Sequence, residues 1–493
     1  MSSDAALRPL SPMVYPSPPD SAGPVPGDFP VTGGVASAGP LRLPAMSQVL
    51  TPRSARGLAI AGPRWRGEVL AALVCLWGLI VSSQMAYANG IFDSRSVAGV
   101  PYHVLMTGAA LVLAVALDGG YMIGLLLRPK VLLYLLCLAA MIGVGIARSG
   151  GGLLGVFNDL YVVRWFFVGF MLMRVALVSG NTKAFLTCAA IIVIATSLRL
   201  DFRNTQGGQL STSEARLTSV DFWPVMNLGT IMIGLLLTVT WPHGVGRVIF
   251  GITVFALLIL LGGIRSSTRS LFLFQALCFL LCLFALSRDP RMAGRGRLIR
   301  QIMVVSLLLV AAFLAYRIVK GQMLGGMTQL ATRFGEEDFG RRSTSSYRMR
   351  EALEFLDFLE PEAWLVGLGF GIGYWNPLGK GFWAGIPHIA VLGWLMKGGI
   401  VVLGLALWTL YISPAVAFFK ATVAARRDTA LPPPILVVGP PLLAWACLTF
   451  VSGGIDIGSF LGLGALCALW AQLADDERRF LRSRAVAPWG GSR

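Results

Sequence analysis

The chain has 493 residues, of which 55% are hydrophobic and 13% charged, and a formal net charge of +17. Soluble domains carry roughly 25% charged residues, so this composition, with a mean hydropathy of +0.71, excludes a soluble globular protein and marks a membrane protein. Basic residues gathered in cytoplasmic loops account for the positive charge of a polytopic chain, which sets nucleic-acid binding aside.

Residues 1–65 contain SPMVYPSPPDSAGPVPGDFP (11–30), too rich in Pro, Gly and Ser to pack a core, and read as a disordered cytoplasmic tail. They lack the basic, apolar, small-residue order of a cleaved signal peptide, so the first span is expected to stay as an anchor. Apolar windows of roughly 20 residues, the length that crosses about 30 Å of hydrocarbon, then recur along the chain. In region 66–318 they lie near 68–86, 101–118, 131–147, 160–178, 184–198, 223–241, 246–263, 270–287 and 301–318. In region 387–475 they lie near 387–411, 434–452 and 456–473, and 476–493 is a second cytoplasmic tail. The fold class is therefore an all-α polytopic membrane protein of about 12 transmembrane helices.

With the N-terminus inside, Arg64, Arg66, Arg128, Lys130, the run RDPRMAGRGRLIR (288–300), Lys420, Arg426, Arg427 and ERRFLRSR (477–484) all fall on the cytoplasmic side, as the positive-inside rule requires. Cysteines 75, 137, 188, 278, 282, 447 and 467 all lie in predicted spans. There a thiol acts as a small apolar group, and no disulfide or zinc framework follows from the spacing. Arg164, in DLYVVRWFF, lies near the outer end of its span and either snorkels or faces a cavity, whereas Arg174 near the inner end is expected to snorkel.

One outer segment, residues 319–386, is long, and loops of that length are functional or disordered. Its arginines, Arg333, Arg341, Arg342, Arg348 and Arg350, are balanced by acids, so it is not a cationic tail. Within it, YRMREALEFLDFL (347–359) places Met349, Leu353, Leu356, Phe355 and Leu359 at helical spacing. This predicts an amphipathic helix along the membrane surface or over a cavity, with Arg350 and Glu354 spaced for an i,i+4 pair. WLVGLGFGIGYW (364–375) follows, and Gly367, Gly369, Gly371 and Gly373 let the backbone approach another backbone or a ligand. No P-loop lysine and no flanking strand and helix accompany the glycines, so nucleotide binding is set aside. In IPHIAVLGWLMKGG (386–399), His388 stands at the rim of an apolar run. Lys397 is nine residues further, roughly 13 Å along a helix, and is not its direct partner. Lys397 reads as snorkelling, lining a wet cavity or pairing with an acid.

The order of these features resembles the bacterial O-antigen ligase and polysaccharide polymerase superfamily. GGIRSSTRSLFLFQALCFLLCLF (262–284) resembles the family's short arginine-bearing outer loop followed at once by a span, with Arg269 in the position of its Ser-Arg pair. Arg348, with Arg350 as the alternative, is similar to the arginine that leads the family's loop helix. Gly367, Gly369 and Gly371 match its G-x-G-x-G stretch, and His388 with Gly399 its closing histidine and glycine. Arg216 and Asn227, in ARLTSVDFWPVMNLGTIMIGLLL (215–237), fall where the family has an Arg-Leu and an Asn opening a span. The resemblance covers roughly residues 215–410. The chain departs from the pattern at Ile389, where the family usually has Asn, and at Lys397, where it usually has an acid.

The resemblance implies a metal-independent, inverting glycosyltransferase without cofactors in the bacterial inner membrane, its site facing the periplasm. The donor would be a glycan on undecaprenyl diphosphate, the acceptor a glycan or a lipid-linked chain, and other polysaccharide export components possible partners. A diphosphate leaving group needs charge neutralisation, which planar, permanently charged arginines supply. Arg348 and Arg269 are then catalytic, and Arg265, Arg350 and Arg216 bind the diphosphate. His388 is the base, since an imidazole with an ordinary pKa near 6.5 titrates close to the working pH. Three scattered histidines make no metal set. Plainer readings stand beside these: His388 as an interfacial residue, Arg265 and Arg269 as anchors flanking a span, and Arg348 and Arg350 in surface pairs. Glu336, Glu337 and Asp338 form an alternative base. Polymerase is favoured over ligase, which would transfer glycan to lipid A core. A transporter or flippase of lipid-linked sugars is the reading from another class. It calls for an internal repeat and for ionisable residues deep in several spans, and the sequence shows neither.

Overall fold

The computed structural model describes residues 64–88, 96–97, 100–148, 153–206, 212–240, 245–259, 269–288, 299, 301–302, 304, 344–376, 382–384, 387, 389–424, 433–451 and 456–486. The helices are α1 (Arg64–Ala88), α2 (Tyr102–Leu126), α3 (Pro129–Arg148), α4 (Leu153–Val178), α5 (Thr182–Gln206), α6 (Thr212–Thr240), α7 (Val245–Leu258) and α8 (Arg269–Arg288). After the long segment begins come α9 (Thr344–Phe358) and α10 (Pro361–Val366), then α11 (Ala390–Ala406), which runs through a π-helical turn (Leu407–Ile412) into α12 (Ser413–Ala424). The chain continues with α13 (Pro434–Val451) and α14 (Ile457–Val486). Two short antiparallel ribbons complete the described residues, β1 (Ser96–Val97) with β2 (Val100–Pro101), and β3 (Tyr374–Asn376) with β4 (Phe382–Ala384).

The protein is a helical membrane protein. Among the described residues five helices are long and apolar enough to cross a membrane: Tyr102–Leu126, Pro129–Arg148, Ser270–Arg288, Val391–Val423 and Ile457–Arg479. Shorter apolar helices cover Gly67–Ile80, Thr182–Leu198, Trp223–Val239 and Pro434–Phe450. The predicted span over 301–318 lies outside the described residues except for Gln301, Ile302 and Val304, as do residues 319–343 of the long segment.

Bare helix faces in α2, α3 and α11 carry exposed aliphatic residues such as Val112, Leu136 and Val401, a surface suited to lipid rather than water. At the centre, α4, α6 and α14 pass close to one another. Lipid tails are as apolar as leucine, so helices associate in a membrane through close backbone packing at small residues. Here Gly464 lies against the Phe166 carbonyl, Gly169 against that of Leu461, and Gly458 against that of Pro224, each at a spot where a Cβ would overlap the neighbour. The pairs Trp165 with Ile457 around one crevice and Arg174 with Gln472 further on show that α4 and α14 run parallel. The pairs Pro224 with Gly458 and Ile231 with Gly462 show the same for α6 and α14. Cys278 and Cys282 of α8 reach the carbonyls of Thr230 and Gly234 in α6, so α8 is parallel to α6. These buried thiols fill small apolar gaps, as the sequence reading expects.

This parallel set defines two ends. The starts of α4, α6, α8 and α14 share one end with the glycine run, which packs beside Gly155 near the start of α4. Arg128, Arg174 and Asp475 mark the other end, where Arg174 is 3% exposed. Its guanidinium pairs with Asp118, donates to Gln472 Oε1 at 2.8 Å and covers the Tyr121 ring. The expectation that Arg174 snorkels is therefore wrong: an acid in α2 and an amide in α14 satisfy it inside the bundle. Helix α2 breaks at Asp118 (φ −149°, ψ 26°), the residue that meets the guanidinium.

Candidate functional site

Within the long segment, α9, α10 and the glycine run pack against α11. Phe355 and Leu359 of α9, Ala363 of α10, Leu368 of the glycine run, and Leu395 and Met396 of α11 form a separate apolar cluster. The buried residues of α9 thus include Glu351, Ala352 and Phe355, with Leu359 just beyond, while Leu353, included in the predicted apolar face, is 55% exposed. Phe358, Leu365 and Val366 are exposed as well. Arg350 is exposed and makes no ion pair with Glu354, so the i,i+4 pair expected there does not form.

The glycine run is held by backbone carbonyls from two helices. The N–H groups of Leu368 and Gly369 donate to the carbonyls of Met396 (2.6 Å) and Lys397 (3.1 Å) in α11, and that of Phe370 to Met141 O (3.1 Å) in α3. The acceptors in α11 are available because Gly399 (φ 67°, ψ −168°) interrupts the helix, which releases carbonyls that an unbroken helix would bond to residues four further on. Gly369 (φ 82°) and Gly371 (φ 86°) occupy the left-handed region. A Cβ on Gly369 would overlap the backbone at Gly145, and one on Gly371 the backbone of Gly155 and Val156. Of the two possibilities open from sequence, the close approach seen here is to other backbone.

Lys397 resolves in favour of pairing with an acid. Its side chain is 7% exposed and its Nζ lies 2.6 Å from Asp159 Oδ2 in α4. It also donates to the Ile372 carbonyl at 2.7 Å, and the same Asp159 oxygen accepts the Gly371 N–H at 2.6 Å. One cation, one carboxylate and two adjacent peptide groups thus close a four-member network. Asp159 was not foreseen as a partner. The available signal was an acid, Asp159, just before the predicted span 160–178, and a single lysine within the apolar run 387–411, a charge costly to bury alone.

A second polar group lies deeper at the same end. Asp456 caps α14, accepting from the Ser459 N–H (2.9 Å) and Ser459 Oγ (2.7 Å), and buried Asn227 donates to it at 2.6 Å. Asn227 therefore sits inside α6, fifteen residues beyond the helix start at Thr212 and four beyond Trp223, where the apolar stretch Trp223–Val239 begins. Close by, Leu79, Trp165, Pro224 and Gly458 line a narrow apolar crevice.

Of the predicted site residues, Arg348 and Arg350 lie on α9, Arg269 is the first residue of α8 and Arg216 is in the first turns of α6. The helix register brings the backbones of Arg216, Arg269 and Asp159 to the same end: each precedes the level of Pro224, Gln275 and Trp165 by six to eight residues, roughly 9–12 Å of helix. His388 and Arg265 lie outside the described residues, as do Glu336, Glu337 and Asp338. His388 is flanked by buried Pro387 and by Ile389, which begins α11 without a side-chain cap; Asn in that place would cap the helix. Among the described residues no group of three His, Cys, Asp or Glu could hold a metal ion.

No protein-family model matches the chain, and no curated protein or solved structure matches it.

Proposed function

We propose that the protein polymerises oligosaccharide repeat units carried on undecaprenyl diphosphate, at the periplasmic face of a bacterial inner membrane, with about twelve spans and the segment 319–386 on the periplasmic side. The observation that carries this reading is the docking of the long segment at the end of the bundle where α11 begins. Arginine-bearing α9, the glycine run and α11, the helix that follows His388 in the chain, thereby belong to one packed unit, at the end where α6 and α8 bring Arg216 and Arg269. In the reaction an acceptor hydroxyl oxygen bonds to the anomeric carbon as the bond from that carbon to the diphosphate oxygen breaks. His388 takes the hydroxyl proton, and Arg348 and Arg269, with Arg265, Arg350 and Arg216, neutralise the departing diphosphate. Donors placed where charge develops in a water-poor site are worth most, and direct displacement inverts the anomeric carbon.

Purified protein incubated with a defined undecaprenyl-diphosphate oligosaccharide is expected to yield a ladder of products without lipid A core. His388→Ala and Arg348→Ala are expected to abolish the ladder while the protein remains in the membrane. Full yield and length from both variants would rule out this site. A single transfer requiring lipid A core would select the ligase.

One observation favours a transporter or flippase of lipid-linked sugars as a second reading. Ionisable residues do lie buried within helices, as the pairs Asp118 with Arg174 and Asp159 with Lys397, and each pair adjoins an interruption, at Asp118 or Gly399. Broken helices and intramembrane charges are features of transport sites. Absence of transfer to either acceptor, with movement of the lipid-linked sugar across proteoliposomes, would select this reading.

A further inference from the structure

The pair of Asp159 and Lys397 does more than neutralise a buried lysine with a partly exposed carboxylate. An apolar pair of similar size would pack between α4 and α11 with less desolvation, yet it would not bind the glycine run. The ionised pair does so in a polar order: the carboxylate accepts from Gly371 N–H and the ammonium donates to the Ile372 carbonyl, two adjacent residues. With the bonds from Leu368, Gly369 and Phe370, four consecutive amides are anchored to three different helices. The run has no ladder of its own, so its position is dictated by those anchors. It is covalently continuous with α10 and α9 on one side and with the chain leading to Pro387 and α11 on the other.

We infer that Asp159 and Lys397 are the positioning pair of the catalytic site: they clamp the glycine run and so set the register between arginine-bearing α9 and α11, the helix that follows His388 in the chain. The inference rests on the glycosyl-transfer reading. Neither residue touches the reacting atoms. Their contribution is orientation, where a displacement of about 1 Å can cost on the order of 100-fold in rate.

The test uses the purified full-length protein and four variants, Asp159→Asn, Lys397→Met, Lys397→Arg and the exchange Asp159→Lys/Lys397→Asp. Amide hydrogen exchange of peptides covering 365–376 and of control peptides in α6 and α14 is read alongside kcat and KM for polymerisation. Asp159→Asn and Lys397→Met are expected to speed exchange in 365–376 at least about tenfold with the controls unchanged. Their kcat should fall by about 10- to 100-fold while KM changes less than about threefold. Lys397→Arg, which keeps a cationic donor, should retain more kcat than Lys397→Met. The charge exchange should not restore protection, because a lysine at 159 cannot accept the Gly371 N–H. Restoration by the exchange would reduce the pair to a plain ion pair and overturn the clamp. Fast loop exchange with wild-type kcat would overturn the positioning role alone. A wild-type protein that transfers no glycan would instead remove the glycosyl-transfer reading and this role with it.

Discussion

At the scale of single residues, the buried charges are the informative ones. Arg174 and Lys397 each sit in an apolar span, and in each case an acid from a different helix meets them. Removing one member of such a pair leaves the other charged and dry, which costs about 3–5 kcal/mol, whereas removing both costs far less. Arg174→Met is therefore expected to lower stability by about 3 kcal/mol, measured by denaturant unfolding in detergent, and Arg174→Met/Asp118→Asn to recover much of the loss. An unchanged midpoint in the single variant would mean that the guanidinium is solvated after all. Both pairs join residues far apart in sequence, so Arg174 taken alone reads as snorkelling, and Lys397 as snorkelling, lining a cavity or pairing with an unidentified acid. The partner becomes visible only when helices are placed side by side.

At the scale of elements, the helices follow from apolar length, and their joints follow from glycine and proline. The glycine run is the clearest case. Its alternate glycines were legible as a site of close approach, but not what approaches. Gly369→Ala puts a side chain in the left-handed region and into the backbone at Gly145. It is expected to cost at least about 2 kcal/mol and to release the run, measured as a lower melting temperature together with faster exchange of residues 365–376. A melting temperature equal to wild type would show that the approach of α3 is dispensable. Helix α9 was legible as amphipathic, yet its buried stripe runs through Ala352, Phe355 and Leu359 and leaves Leu353 outside. Periodicity reports that a helix has an apolar side; when apolar residues spread over more than one stripe, the neighbour decides which stripe is covered.

At the scale of the whole molecule, the parallel order of α4, α6, α8 and α14 puts their starts at one end and Arg128, Arg174 and Asp475 at the other. The distribution of basic residues makes that second end cytoplasmic in the proposed orientation. A fluorescent protein fused after Arg493 is expected to fluoresce in cells, and alkaline phosphatase fused at the same point to be inactive. The opposite pair of results would invert the orientation and move residues 319–386 to the cytoplasm. The membrane class, the location of most helices and a glycine-rich segment suited to close approach are legible in the sequence, because apolar length and backbone freedom are local properties. Only the tertiary structure decided that Asn227 meets Asp456, that Lys397 meets Asp159 and that Gly399 opens a helix to receive the glycine run. Those pairings depend on which helices become neighbours, and a low-dielectric interior makes each unpartnered charge or peptide group costly enough to select them.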